Sequence, residues 1–322
     1  MTTKSENHTD FSAEAIHVEN LSKHFGANKA VDQLSLSVRP GEIFGIVGPD
    51  GAGKTTTMRL LTSIMEPTSG DAWVGGLHIV KDSEAVKEHI GYMSQKFGLY
   101  QDLTVLENLD FYADLYGVPS RARTEIYDRL LSFSNLTPFR KRMAGRLSGG
   151  MKQKLGLACA LVHTPKILFL DEPTNGVDPL SRRDFWKILT RLLAQNVTIF
   201  VSTAYLDEAE RCTRLAMLHQ GKLLSVGTPS EIRQLMRGSL VEIRSSQPRD
   251  AVVLLKHAFP PDSVTIFGDR IHLATRNTDL AIQEAKGILD KARIEVNSTR
   301  LIPPTLEDVF VSMLAEHQEI RP

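Results

Sequence analysis

Three short segments hold the residue types that handle phosphate. Gly48-Pro-Asp-Gly-Ala-Gly-Lys54-Thr55 has the spacing of a phosphate-binding loop. Its glycines let successive backbone N–H groups converge on an anion, and a helix placed after it adds a positive dipole end. The Lys54 ammonium can reach the β and γ phosphates, and the Thr55 hydroxyl can ligate magnesium. The second segment, "KILFLDEP", ends an apolar run in Asp171 and Glu172. At the carboxyl end of a buried strand, Asp171 would hold magnesium directly or through water. Glu172 would orient or deprotonate an attacking water. A glycine-rich turn or a solvated acidic pair would explain either segment alone; together they point to nucleotide hydrolysis. In the third segment, "LSGGMKQKLGLA", Ser148, Gly149 and Gly150 open a helix with a hydroxyl and unbonded N–H groups. Serine N-capping accounts for that pattern by itself. As a second anion grip in a chain with one phosphate loop, it suggests service to a nucleotide bound by a different subunit.

The elements needed to position these residues are legible around them. "IFGIV" (43–47) is a continuous apolar run of the kind a buried parallel strand shows, and Met58, Leu60, Leu61 and Ile64 mark a helix after the loop. From residue 15 to the Pro40-Gly41 turn the chain alternates in a sheet-like way, and strand-like "GDAWVGG" and "IGYMSQ" follow the loop. Residues 104–163 read mainly as helix. Alternation then returns: a strand at 166–171, a helix near 180–194, a strand at 197–203, a helix near 205–211, and the strand-like "RLAMLHQGKLLSVG". This predicts an α/β sheet covered by helices, with a helical insert. The pattern changes near 230–240. A strand at 240–245, a helix near 249–258, "VTIF", a Gly268-Asp269 turn, "IHLAT", a helix at 278–289 and "RIEVNS" predict a small α+β unit of split βαβ type. Pro303-Pro304 and Thr305, with Asp308 three residues on, announce a last helix.

Bulk properties narrow the function classes. Lys plus Arg number 38 and Asp plus Glu 38, so the formal net charge is zero, which argues against a broad basic surface for nucleic acid. Hydrophobic residues make up 42% and charged residues 24%, the balance of a globular chain. Cys159 and Cys212 lack metal-ligand spacing and read as small buried side chains. The polar opening residues predict a flexible tail over 1–14 with no secretory signal. No run approaches the roughly 20 apolar residues that cross a bilayer.

Taken in order, these segments resemble the nucleotide-binding subunit of ABC transporters. The resemblance rests on the loop at 48–55, "LSGGMKQ" at 147–153, the Walker B segment at 167–172, Gln95 in "YMSQKFGLY" and Asp178 in "NGVDP". It implies a P-loop NTPase of ABC ATPase type over residues 15–236, with a helical signature subdomain at about 100–163 and an accessory α+β domain at 237–322. It implies ATP and Mg2+ as cofactors. Phe25 would stack on adenine, and Gly48, Asp50, Gly51, Ala52, Gly53, Lys54, Thr55 and Thr56 would hold the nucleotide. Ser148, Gly149 and Gly150 would close on the nucleotide of an opposing domain. Thr55, Gln95 and Asp171 would serve the metal, and Glu172, Gln95 and Asp171 the hydrolysis. "GLYQDLTVLENL" and "PPTLEDVF" (303–310) look like drug-export ATPases that work with separate ABC-2 type permeases. The partners implied are a second ABC ATPase domain, such a permease and a membrane-fusion protein, with no nucleic acid. The place implied is the cytoplasmic face of the inner membrane, reached through the permease.

The chain departs from the family pattern twice. Asp50 stands where Asn is usual, an extra carboxylate near a triphosphate. Ala204, in "VSTAYLDEAE", stands where a histidine usually meets the γ-phosphate, and His219 is not at that spacing. The chain is therefore expected to bind Mg-ATP and to hydrolyse it slowly. A homodimer and a heterodimer with a complete partner both remain open. So do an ATP-binding regulatory subunit with little turnover and a soluble ABC ATPase outside transport, although coiled-coil, zinc-binding or basic inserts typical of the latter are not visible.

Overall fold

The computed structural model describes residues 14–319 apart from 97, 237, 261 and 262; the predicted tail lies, but for its last residue, outside them. In chain order the first elements are β1 (Ile16–Phe25), β2 (Asn28–Val38), β3 (Ile43–Val47), α1 (Lys54–Leu61), β4 (Ser69–Val74), β5 (Leu77–His78), α2 (Ser83–His89) and β6 (Ile90–Met93). Next come α3 (Val105–Leu115), α4 (Ser120–Phe133), α5 (Gly149–Ala160), β7 (Ile167–Asp171), α6 (Pro179–Leu193), β8 (Thr198–Thr203), α7 (Leu206–Ala209), β9 (Arg214–His219) and β10 (Lys222–Gly227).

Apolar runs become buried strands, as their composition requires. Every residue of β3, β7 and β8 is buried, which demands cover on both faces of the sheet. Those strands lie in a six-stranded sheet ordered β10-β9-β3-β8-β7-β6, parallel from β9 to β6. The alternating N-terminal strands instead pair antiparallel in a separate sheet ordered β2-β1-β4-β5. Between the two sheets, Phe44, Phe169 and Phe200 pack with ring centroids 5.5–5.6 Å apart. The helical insert starts at a capping box, where Thr104 and Glu107 exchange backbone-to-side-chain hydrogen bonds of 2.7 and 3.2 Å. Leu109, Leu131 and Leu155 of α3, α4 and α5 are fully buried in one cluster that continues into Phe185 and Trp186 of α6. Among the described residues no helix is long and apolar enough to cross a membrane.

The chain divides into two compact units between Val226 and Gly227. The second unit holds α8 (Pro229–Gln234), β11 (Ser239–Ser245), α9 (Pro248–Ala258), β12 (Val264–Phe267), β13 (Arg270–Thr275), α10 (Thr278–Lys291), β14 (Val296–Ile302) and α11 (Leu306–Glu319). Its antiparallel sheet is ordered β12-β13-β11-β14, the split βαβ arrangement the pattern predicts. Val241, Ile243, Ile271 and Leu273 face α9 and α10 through Leu255, Ala285 and Leu289. Thr305 and Asp308 cap α11 as predicted, the Asp308 amide donating to Thr305 Oγ1 at 3.2 Å.

Four local features differ from the sequence reading. Strand β5 and helices α2 and α8 are additional, and β14 begins at Val296 rather than at 293. The last shift has a physical cause. Arg293 takes a left-handed φ of 60° as the chain leaves α10, and Ile294 is drawn into the core before pairing with β11 begins. Phe200 is buried completely between two rings; Phe200→Ala is expected to lower stability by about 3–5 kcal/mol, read as a shift of the denaturant midpoint.

Candidate functional site

Two glycines set the phosphate loop where no other residue fits. A Cβ on Gly48 would lie 2.3 Å from the Leu218 carbonyl oxygen, and one on Gly53, at φ +103°, would lie 2.4 Å from that of Ala30. The loop is thereby pressed between β9 and β2 and delivers Lys54 to the first turn of α1. Lys54 is buried, and its ammonium donates to the carbonyls of Gly48 (2.8 Å) and Pro49 (3.1 Å). Its third partner is a carboxylate oxygen, Glu172 Oε1, at 3.1 Å.

That carboxylate comes from the end of β7, with β8 lying between β3 and β7. The parallel register pairs Asp171 with Ser202. Ser202 Oγ donates to Asp171 Oδ1 at 2.6 Å and accepts the Glu172 amide at 2.9 Å, so one hydroxyl fixes both acidic residues. Thr55 Oγ1 donates to the same Asp171 oxygen at 3.2 Å. Burial pushes the Asp171 carboxyl above its ordinary range. The nearby Tyr92 phenol is pushed up to about 12 by burial and by the Asp171 charge. Glu172 holds a left-handed φ of 47°, a strained conformation for a residue with a side chain, costing about 1–3 kcal/mol. Its Oε2 accepts from Gln95 Nε2 at 2.7 Å and from Asn175 Nδ2 at 3.3 Å. Lys54, Thr55, Gln95, Asp171 and Glu172 thus meet at one place.

The donor set fits magnesium. Asp171 Oδ2 is buried and has no hydrogen-bond partner among the described residues, while the Thr55 hydroxyl stands beside the other oxygen of that carboxylate. Carboxylate, hydroxyl and amide oxygens are the hard ligands this ion takes.

The remaining predicted residues surround this centre. Asp50 and Gly51 are exposed at the loop tip, Ala52 is buried and Thr56 half-buried. Phe25 ends β1 with 48% of its surface exposed, and the Lys23 ammonium lies 5.5 Å from its ring centroid. Ser148 caps α5, its Oγ accepting from the Met151 amide at 3.3 Å. Gly149 has open space where a Cβ would be, and Gly150 lies against Ser181 of α6. Asp178 caps α6 by accepting the Ser181 amide at 2.9 Å. Among the described residues no hydrogen bond or ion pair joins Ser148, Gly149 or Gly150 to the phosphate loop.

Ala204 directly follows β8 and is exposed. The strand order places it between the phosphate-loop strand and the Asp171 strand. His219 ends β9, on the far side of β3 and two strand spacings, or about 10 Å, away. Its position does not replace a side chain at 204. The chain around Ala204 is tied by Glu208, a buried carboxylate absent from the sequence reading. Thr174 and Thr203 hydroxyls donate to it at 2.6 and 2.8 Å, and Arg182 Nε lies 3.3 Å away. Ser202, Asn175 and Glu208 are the functional neighbours that motif spacing missed. A polar residue closing an apolar run, as Ser202 does, was the available signal.

A phosphate loop on a parallel strand, an Asp-Glu pair two strands away, a Gln on the next strand and a capped Ser-Gly-Gly helix in an α-helical insert together define a P-loop ATPase of the ABC type. The chain belongs to the ABC transporter family, whose profile matches residues 31–175. Membership gives it ATP and Mg2+ as cofactors, with ATP hydrolysis as the family's reaction. It is 44% identical over 306 residues to the probable multidrug ABC transporter ATP-binding protein YbhF of Escherichia coli (strain K12). That match covers 93% of this chain and 52% of YbhF, so the chain spans about half the length of that relative. It is 32% identical to the daunorubicin resistance ATP-binding protein DrrA3 of Streptomyces coeruleorubidus, over 95% of this chain and 98% of DrrA3. A solved ATP binding subunit of an ABC transporter superposes with a TM-score of 0.62 at 29% identity, covering 68% of this chain and 92% of that one.

The Lys54–Glu172 ion pair puts a carboxylate where a phosphate would be drawn. Glu172→Gln removes that competitor and is expected to tighten ATP binding about tenfold. Equilibrium titration with a fluorescent ATP analogue checks this; unchanged affinity would show that Glu172 leaves Lys54 without cost.

Proposed function

We propose that this chain is the ATP-binding subunit of an exporter, coupling ATP binding and hydrolysis to movement of drugs or other small molecules through a separate ABC-2 type permease. The observation that carries the reading is the convergence of Lys54, Thr55, Gln95 and the Asp171-Glu172 pair around one buried cluster. The multidrug and daunorubicin resistance relatives support export as the direction. In this reading residues 15–236 form the ATPase domain, with a helical subdomain at about 100–163, and 237–322 an accessory domain. The chain works at the cytoplasmic face of the inner membrane, held by the permease and, in a complete efflux path, by a membrane-fusion protein.

Each residue's part follows from its place. The loop from Gly48 to Thr56 surrounds the phosphates with backbone N–H groups, and Lys54 exchanges Glu172 for phosphate oxygens. Phe25, exposed at the end of β1, offers a face to adenine. Thr55, Asp171 and Gln95 hold Mg2+, which when bound neutralises charge on the phosphates. Released from Lys54, Glu172 is free to orient an attacking water and accept its proton, and Gln95, bonded to it, responds to the same change. Ser148, Gly149 and Gly150 open away from this chain's own loop and grip the nucleotide of an opposing ATPase domain.

Ala204 weakens the site. It lies where a side chain could reach between the loop and Asp171, and a methyl group donates no hydrogen bond. The same observation favours a second reading, an ATP-binding regulatory subunit with little turnover. Ala204→His is expected to raise the ATPase rate of the purified chain about 10²-fold, while Glu172→Gln abolishes it. An unchanged rate in Ala204→His, with Glu172→Gln inactive, would overturn the missing-histidine account. Recovery of the chain from membranes with a multi-span protein supports transport; recovery with nucleic acid or ribosomes refutes it.

A further inference from the structure

The second unit has a charge arrangement that its own folding does not call for. One face of its sheet packs on α9 and α10 through Val241, Ile243, Ile271 and Leu273. Alternation puts Glu242 and Arg244 of β11, Arg270 and His272 of β13, and Arg300 of β14 on the opposite face. Glu242 is buried there, cross-strand from His272 on one side and from Arg300 on the other. Three guanidiniums converge on it: Arg300 Nε at 2.8 Å, Arg244 Nε at 3.2 Å and an Arg270 nitrogen at 3.6 Å.

One arginine would neutralise one buried carboxylate. Three positive charges against the one buried carboxylate leave an excess, because the nearby Asp308 is already engaged by His272 at 2.9 Å and by Thr305 at 2.6 Å. Asp269 reaches Arg270 only at 3.9 Å from a largely exposed position, a contact of little weight. Arg244 and Arg270 are moreover direct cross-strand partners, and like charges so placed repel. Each guanidinium has five N–H donors in a planar fork, and these contacts use few of them. The side chains of Arg244, Arg270 and Arg300 remain 36%, 48% and 57% exposed. Partly exposed guanidiniums held together against their own repulsion are suited to an oxyanion bound bidentately.

We propose that Arg244, Arg270 and Arg300 form an anion site on the C-terminal sheet that takes a phosphomonoester, with Glu242 as the buried carboxylate that gathers them. The excess positive charge suits a group that carries about −1.5 to −2 at neutral pH. A soluble phosphomonoester and the headgroup of a lipid such as phosphatidic acid share this chemistry.

The test uses the full chain with saturating ADP, so that the phosphate loop is filled, and titrates inorganic phosphate by calorimetry. Arg270→Gln and Arg300→Gln each leave Glu242 two guanidinium partners, so both variants keep the fold, which circular dichroism verifies. Each is expected to weaken phosphate binding at least tenfold, and Glu242→Gln, which removes the carboxylate that gathers the arginines, to weaken it as well. Co-sedimentation with vesicles of phosphatidylcholine, with and without phosphatidic acid, separates the sources. Arginine-dependent binding to phosphate alone assigns a soluble ligand; arginine-dependent retention on the phosphatidic acid vesicles as well assigns the headgroup. Binding that persists unchanged in both arginine variants lies elsewhere on the chain and overturns the proposal, as does the absence of arginine-dependent binding in both assays.

Discussion

A lysine and two carboxylates share one buried place, and the rest of the site is arranged around their mutual neutralisation. Lys54 and Glu172 are each almost wholly removed from water. Breaking such a pair by deleting one member leaves an unpaired buried charge, at a cost of about 3–5 kcal/mol. The pair can be exchanged rather than broken, because a phosphate oxygen can take the place of Glu172 at Lys54. Glu172 is then left to Gln95 and Asn175, which already hold its other oxygen. A strained backbone at Glu172 is consistent with a residue whose position is imposed by its surroundings. The Glu172 carboxylate at Lys54 therefore stands as a placeholder for phosphate.

The placeholder exists because of strand order. A phosphate loop after β3 and a carboxylate pair after β7 can meet only across the end of β8, and the parallel register delivers Ser202 to bridge them. The loop and the acidic pair were legible because each is contiguous in the chain and limited to a few residue types. Ser202 and Glu208 were not, because their roles depend on which strand lies beside which. Glu208 illustrates the point. Its partners Thr174, Arg182 and Thr203 come from the segment after β7, from α6 and from β8, and no spacing rule links those positions.

The same division holds for the fold. Strands β3, β7 and β8 announce themselves as unbroken apolar runs, since burial on both faces leaves no room for alternation. Helix α2 has only Val86 buried, so it offers almost no periodic apolar signal. Helix α8 is a six-residue segment with only Ile232 buried, so its Thr228–Glu231 capping box has no periodic apolar signal beside it. Strand β14 escaped accurate placement because its outward residues are mostly exposed and its start is set by the left-handed turn at Arg293.

Position 204 shows how one residue can be decided by its neighbours and yet change what they do. Ser202 and Thr203 before it are locked to Asp171 and Glu208, so the strand end is held as firmly as a reacting side chain would need. What is absent is only the reach of the side chain. The signature helix shows the opposite condition: Ser148 caps it, and Gly149 faces open space. In the proposed sandwich of two domains, a chain with this asymmetry contributes a complete grip to its partner's nucleotide and an incomplete set to its own. Paired with itself it would, in that reading, yield two weakened sites. Paired with a domain that carries histidine at the matching position it would yield one weakened and one complete, so in the proposed reading the facing subunit, rather than the loop or the carboxylates of this chain, sets how fast the assembly turns over ATP.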